Sequence, residues 1–285
     1  AIWGDAPMGM PVIGTVANIE GFTRQDLVRH VQCHYVAHKT VVVAAGNFDV
    51  DAWLALAGEL FAHMPSSAEG SSLTPPRPAP YVGQALAQRF TQVSQVFVNV
   101  AYPVVPVEPQ QGPAQRSRLA ASLAAHLFGE GMSSPLVDTV REQLGLAYTT
   151  YATLESADVW SNFIVHAVTT PDKLDALLTA TGELLRAQAA GIDPVQLERA
   201  KNQLTVSRVR AAERPFATME QTVEELFTHG SVTPMAQTLA LIDDIGAEEV
   251  RMVFERLLAH APAVAITGKG ATAKAARQLA ACLAG

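Results

Sequence analysis

The apolar positions along the chain switch from helical to strand-like spacing within one stretch, 128–151, FGEGMSSPLVDTVREQLGLAYTTY. It opens on a glycine turn, Gly129 and Gly131. Ser133 and Ser134 follow as candidate helix caps, and Pro135 takes a first helical position, where its missing N–H costs nothing. Leu136, Val137, Val140 and Leu144 recur at spacings of one, three and four. They predict the apolar face of a short helix, with Asp138, Glu142 and Gln143 opposite. Gly145 is placed to stop that helix in a left-handed conformation, and 147–153 predicts a strand.

Elsewhere the same periodicities predict further elements. Residues 1–19, rich in Gly, Pro and Met, read as a surface loop. Thr23, with Asp26 three residues on, opens a helix over 24–35. The β-branched run 39–45 predicts a strand ending at a Gly46-Asn47 turn, and 51–63 a helix with Trp53, Leu54, Leu56, Leu60 and Phe61 on its apolar side. Residues 65–87 lose periodicity in favour of Ser, Pro and Gly and read as a linker. From Arg89 a strand alternates, with Val96, Val98 and Val100 on one face and Gln95, Phe97 and Asn99 on the other. A helix over 115–127 precedes the central stretch. After it, 160–169 alternates as a strand, with Phe163, Val165 and Ala167 against Ile164 and His166. Thr170-Pro171 opens a helix to 190 that Gly191 stops, and Asp193-Pro194-x-Gln196 opens another with a capping box. Helices over 214–229, 247–259 and 271–283 flank a buried strand at 263–268. This order of elements predicts an α+β fold, not a doubly wound sheet.

Composition narrows the classes. A chain of 285 residues with 49% hydrophobic content can build a sizeable core. A net charge of −7 without long single-sign runs argues against a nucleic-acid partner. Cys33 and Cys282, far apart and outside any CxxC spacing, suggest neither a disulfide framework nor a thiol metal ribbon. No apolar run reaches membrane-spanning length, and the opening residues carry no basic n-region of a signal peptide.

Two residues of the central stretch invite a role beyond packing: Arg141 near the helix end and Tyr148 at the strand start. The run GxGxSSxLxxxxREQLGLAY resembles the second-domain motif of the pitrilysin/insulinase superfamily of zinc metallopeptidases, which includes the mitochondrial processing peptidases and bacterial relatives. GMPVIGTVANIEGFTRQDL, the strand beginning TQVSQVFVNV and GIDPVQLERAKNQL resemble the same family, so the likeness covers nearly the whole chain. It implies an antiparallel sheet packed against helices: residues 1–64 as the end of the first, catalytic-type domain, 65–87 as linker and 88–285 as a complete second, metal-free domain. It further implies that Arg141 and Tyr148 face a zinc site across a clamshell, contacting a peptide substrate and its developing oxyanion. The halves would pair as a homo- or heterodimer around a chamber for peptides or unfolded polypeptide. Pro135 departs from the pattern, since relatives often carry arginine there.

The family's zinc motif, His-x-x-Glu-His, occurs nowhere in these 285 residues. No metal or base is therefore expected from this chain, and zinc is assigned to an upstream region or a partner subunit. His30 and His34, one helical turn apart with Cys33 between them, are the weak candidates for a metal pair; a thiol there cannot replace the carboxylate that activates zinc-bound water. Gly129-Glu130-Gly131 lacks the lysine of a phosphate loop, and Ser133 and Ser134 have no His/Asp partner spacing. His126 and His166 sit singly on apolar patterns and read as structural. The resemblance thus implies either the substrate-binding half of a zinc metalloendopeptidase or a non-catalytic partner subunit of the same fold.

Overall fold

The computed structural model describes residues 1–66, 79–104, 113–157 and 160–283. In chain order the helices are α1 (Val16–Gly21), α2 (Arg24–His34), α3 (Val50–Phe61), α4 (Pro113–Gly129), α5 (Leu174–Ala190), α6 (Pro194–Ala212), α7 (Pro215–His229), α8 (Met235–Asp244), α9 (Ala247–Leu258) and α10 (Ala273–Leu283). The strands are β1 (Ala85–Arg89), β2 (Val96–Val104), β3 (Thr149–Ala157), β4 (Trp160–Thr169) and β5 (Ala263–Gly268). They form one sheet in the order β1-β5-β2-β4-β3. β5, β2, β4 and β3 pair antiparallel, and β1 joins β5 in parallel at the edge. The fold is α+β, as the order of elements predicts.

Alternation in the strands sends one set of side chains to each face. Val96, Val98, Val100 and Tyr102 of β2, Phe163, Val165 and Ala167 of β4, and Val264 and Ile266 of β5 are buried beneath α4, α5, α9 and α10. Phe128, Phe163 and Phe254 meet at the centre with ring centroids 5.8–6.0 Å apart and join α4, β4 and α9. At the other end of α4, Arg116 forks onto Glu249 through Nε and Nη2, each at 2.7 Å, and onto Asp244 through Nη1 at 2.6 Å, fixing the α8–α9 corner. Where α4 ends, a Cβ on Gly129 would stand 2.2 Å from the backbone nitrogen of Ala152, so only glycine lets the helix approach β3.

Several elements depart from the sequence expectation. The β-branched run 39–45 is not a strand: Ala37–Lys39 forms a 3₁₀ turn, and among the described residues no strand pairs with 40–45. A strand needs a neighbour for its amides, whatever its propensity. Conversely, β1 takes in 85–87 of the stretch read as linker, because β5 supplies that neighbour; 67–78 lies outside the described residues. Residues 171–173 make a turn before α5. Asp193 caps α6 by accepting from the Val195 amide, without the reciprocal Gln196 bond. α1 and α8 lie outside the predicted elements, and α1 begins within the stretch read as a loop. In residues 1–66, Val36 alone is buried, and Ile13, Phe22, Leu27, Leu54 and Phe61 are exposed.

Candidate functional site

Between α4 and β3 the chain makes the predicted short helix, but wound wide. Val137–Gln143 is a π-helix, with the Leu144 amide donating to the Thr139 carbonyl at 3.0 Å. π-turns are rare and are frequently found at functional sites. The effect here is a shift of register. Leu136, Val137 and Val140 are buried as expected, but Leu144, expected on the same face, is 53% exposed. Ser134 is buried and donates to the Gly131 carbonyl at 2.7 Å, so it holds the glycine turn and does not cap the helix. Gly145 has φ +58, the left-handed stop predicted for it, and there is open space where a side chain would project.

That wide turn and the start of β3 bring Arg141 and Tyr148 together. The Arg141 guanidinium carbon lies 5.3 Å from the centroid of the Tyr148 ring, and its Nε is 3.2 Å from Glu142 Oε1. Tyr148 is 81% exposed. The two line a groove of about 380 Å³ with Gln95, Glu142, Thr170 and Lys173. Neither partner interaction is strong: an exposed cation–π contact contributes about 0.5–1 kcal/mol and an exposed ion pair less. The guanidinium fork and the phenol O–H are therefore readily redirected to an incoming carbonyl or carboxylate oxygen.

The loop carrying Tyr148 is clamped from a distant segment. Lys173 Nζ donates to the Gly145 carbonyl at 2.8 Å, and Thr169 Oγ1 donates to the Leu146 carbonyl at 2.6 Å. Arg199 of α6 donates to the carbonyls of Leu127 and Glu130 at 2.9 and 3.0 Å, satisfying carbonyls at the end of α4 and just beyond it. Sequence reasoning missed Lys173, Thr169 and Arg199, since nothing in their local pattern announces which carbonyl they reach.

The weak metal candidates lie elsewhere. His30 and His34 sit one turn apart on α2, their rings tilted with centroids 4.6 Å apart. Among the described residues, no group of three or more His, Cys, Asp or Glu is placed to hold an ion. Two imidazoles without a carboxylate do not fit a catalytic zinc centre. His126 is bonded through Nδ1 to the Ser122 carbonyl at 3.0 Å, as a structural residue would be. His166 stacks on Tyr151 at 4.5 Å, and burial lowers its pKa. No helix of the described residues is long and apolar enough to cross a membrane.

With this geometry in view, comparison with known proteins is specific. The family model described as "Peptidase M16 inactive domain" matches residues 21–204, and the chain belongs to that family. An uncharacterized zinc protease of Mycobacterium leprae is 29% identical over 282 residues, covering 96% of this chain and 61% of its own length. The mitochondrial-processing peptidase subunit beta of Lentinula edodes is 23% identical over 269 residues, covering 88% and 55%. This chain thus spans about 60% of the length of such relatives. In fold, it matches a chain of complex III₂ from Candida albicans with TM-score 0.81 at 18% identity, over 98% of this chain and 67% of that one. A peptidase M16 inactive domain from Pseudomonas fluorescens matches with TM-score 0.77 at 18% identity, over 94% and 63%.

Proposed function

We propose that this chain is the metal-free, substrate-holding half of a zinc-dependent metalloendopeptidase of the pitrilysin/insulinase type. In this reading 1–64 is the end of a catalytic-type domain, 65–87 the connection and 88–285 the second domain. The observation that carries the reading is the convergence of Arg141 and Tyr148 on one open groove beside a π-turn. Arg141 would bind a carbonyl or carboxylate of an extended peptide through its fork, and Tyr148 would donate to the oxygen that gains charge as the peptide bond is attacked. Zinc, expected in an upstream region or a partner subunit, would supply Lewis acidity and an activated water. The described residues of this chain do not fit a site for it. A homo- or heterodimeric pairing of halves would close the chamber around peptide or unfolded polypeptide.

The second reading is a non-catalytic partner subunit of the same fold. The likeness to a chain of a complex III assembly and the family description "inactive domain" favour it. Intact mass, zinc content and peptide hydrolysis of the natural polypeptide, purified with whatever accompanies it, decide between the two. A chain heavier than 30.3 kDa, or a stable complex, that carries about one zinc and cleaves peptides supports the first. Absence of both zinc and hydrolysis from the purified assembly overturns it.

A further inference from the structure

Five elements meet around a cavity of about 190 Å³: Arg118 and Ser122 of α4, Ser156 of β3, Arg208 of α6, Glu225 of α7 and Thr238 of α8 all line it. One water needs about 10–15 Å³, so the space is that of a small molecule. It lies far from the groove of Arg141 and Tyr148. Ser156 stands eight residues along β3 from Tyr148, about 26 Å at strand rise.

The lining carries positive charge without an acceptor. Arg118 Nη1 is sealed from solvent and has no hydrogen-bond partner, and burial lowers the pKa of this guanidinium with no carboxylate to offset it. Among the described residues neither Arg118 nor Arg208 makes a hydrogen bond or an ion pair. Arg116 and Arg251, by contrast, reach carboxylates and backbone carbonyls around them. A partly buried cation without a partner gives up hydration and receives nothing in return. The partly buried carboxylate of the lining is already engaged: Glu225 Oε1 accepts from Gln221 Nε2 and Oε2 from the Thr233 amide, each at 2.8 Å. Glu224, the other acid there, is exposed.

α7 is a lightly packed wall of this cavity. None of its described residues is buried, and Phe216 and Phe227 are exposed. We infer that the cavity binds a small oxyanion, a carboxylate or a phosphate, between Arg118 and Arg208, and that its occupancy holds α7 in place. Planar guanidinium forks match the paired oxygens of such groups, and the hydroxyls of Ser122 and Thr238 line the same space as further donors. The charge is shared over the whole guanidinium, so an anion on its cavity side neutralises it although Nη1 itself is closed off. The inference stands apart from the peptidase reading, because no residue of this lining belongs to the groove of Arg141 and Tyr148.

The test titrates the natural full-length polypeptide or complex with inorganic phosphate and, separately, with succinate, at constant ionic strength. Heat of binding and hydrogen exchange of the α7 amides are followed. Saturable binding with slower exchange in α7 is expected for at least one probe; phosphate alone assigns a phosphate ligand, and succinate alone a carboxylate. Arg118→Met and Arg208→Met should each weaken binding about tenfold or more, the scale of losing one hydrogen bond to a charged group. Arg208→Met, at a partly exposed position, keeps this readout whatever Arg118→Met does to folding. No saturation with either probe, parental affinity in Arg208→Met, or unchanged α7 exchange at saturation would each overturn the inference.

Discussion

Lys173 reaches from the entry of α5 to the carbonyl of Gly145, 2.8 Å away and 28 residues earlier in the chain. With Thr169 on the Leu146 carbonyl, it fixes the loop that presents Tyr148. Thr169 is buried, so Thr169→Val leaves the Leu146 carbonyl short of a partner and should cost about 1–3 kcal/mol of stability. Lys173 is exposed, and Lys173→Met should change the melting temperature little while raising KM for peptides in the active assembly. Equal KM for Lys173→Met and the parent would remove Lys173 from the positioning of Tyr148.

Tyr148→Phe deletes one hydroxyl from a side chain that is mostly in solvent. Stability should be unchanged, and kcat of the zinc-bearing assembly should fall by about 10²-fold, the scale of losing one donor to a developing oxyanion. Arg141→Lys keeps the charge but not the planar fork and should also lose activity, mainly in KM. Full turnover by Tyr148→Phe would exclude the oxyanion role.

Gly129 and Gly145 separate close approach from backbone conformation. Gly129→Ala drives a methyl into the β3 backbone at Ala152 and should destabilise by about 3 kcal/mol or more. Gly145→Ala meets no atom and is strained only by its positive φ, about 1–2 kcal/mol. Chemical denaturation of the two variants should rank them in that order.

The corner made by Arg116 predicts a pH dependence. The hydrogen bond from Arg116 holds the Glu249 carboxyl below its usual range. A carboxylate depressed in the folded state contributes stability that is complete above its unfolded pKa and is lost as pH falls through the folded value. Acid should therefore loosen the α4–α9 contact, less so in high salt because both side chains are partly in solvent. Melting temperature against pH should show a shallower acid limb for Glu249→Gln than for the parent.

Core loss at the aromatic centre is the reference case. Phe254→Ala empties the position between Phe128 and Phe163 and should cost about 3–5 kcal/mol, read as a lower denaturant midpoint at unchanged slope.

Wherever one local rule dominated, the sequence alone determined the outcome. Alternation placed Val96, Val98 and Val100 beneath the helices and Phe97 and Asn99 away from them; the Thr23–Asp26 pair set the start of α2; and Gly145 ended its helix with positive φ. The REQLGLAY run singled out Arg141 and Tyr148 without any knowledge of a contact between them. Tertiary structure decided what depends on a neighbour supplied from far away. β5 made a strand of the featureless Ala85–Arg89, and no described segment did so for the β-branched 39–45. The π-turn moved Leu144 off the buried face, a one-residue change of register that spacing counted at helical period does not register. The groove itself is tertiary, because Lys173 and Thr169 close it through single hydrogen bonds to backbone carbonyls. Every residue presents such a carbonyl alike, and only the folded chain selects which one is reached.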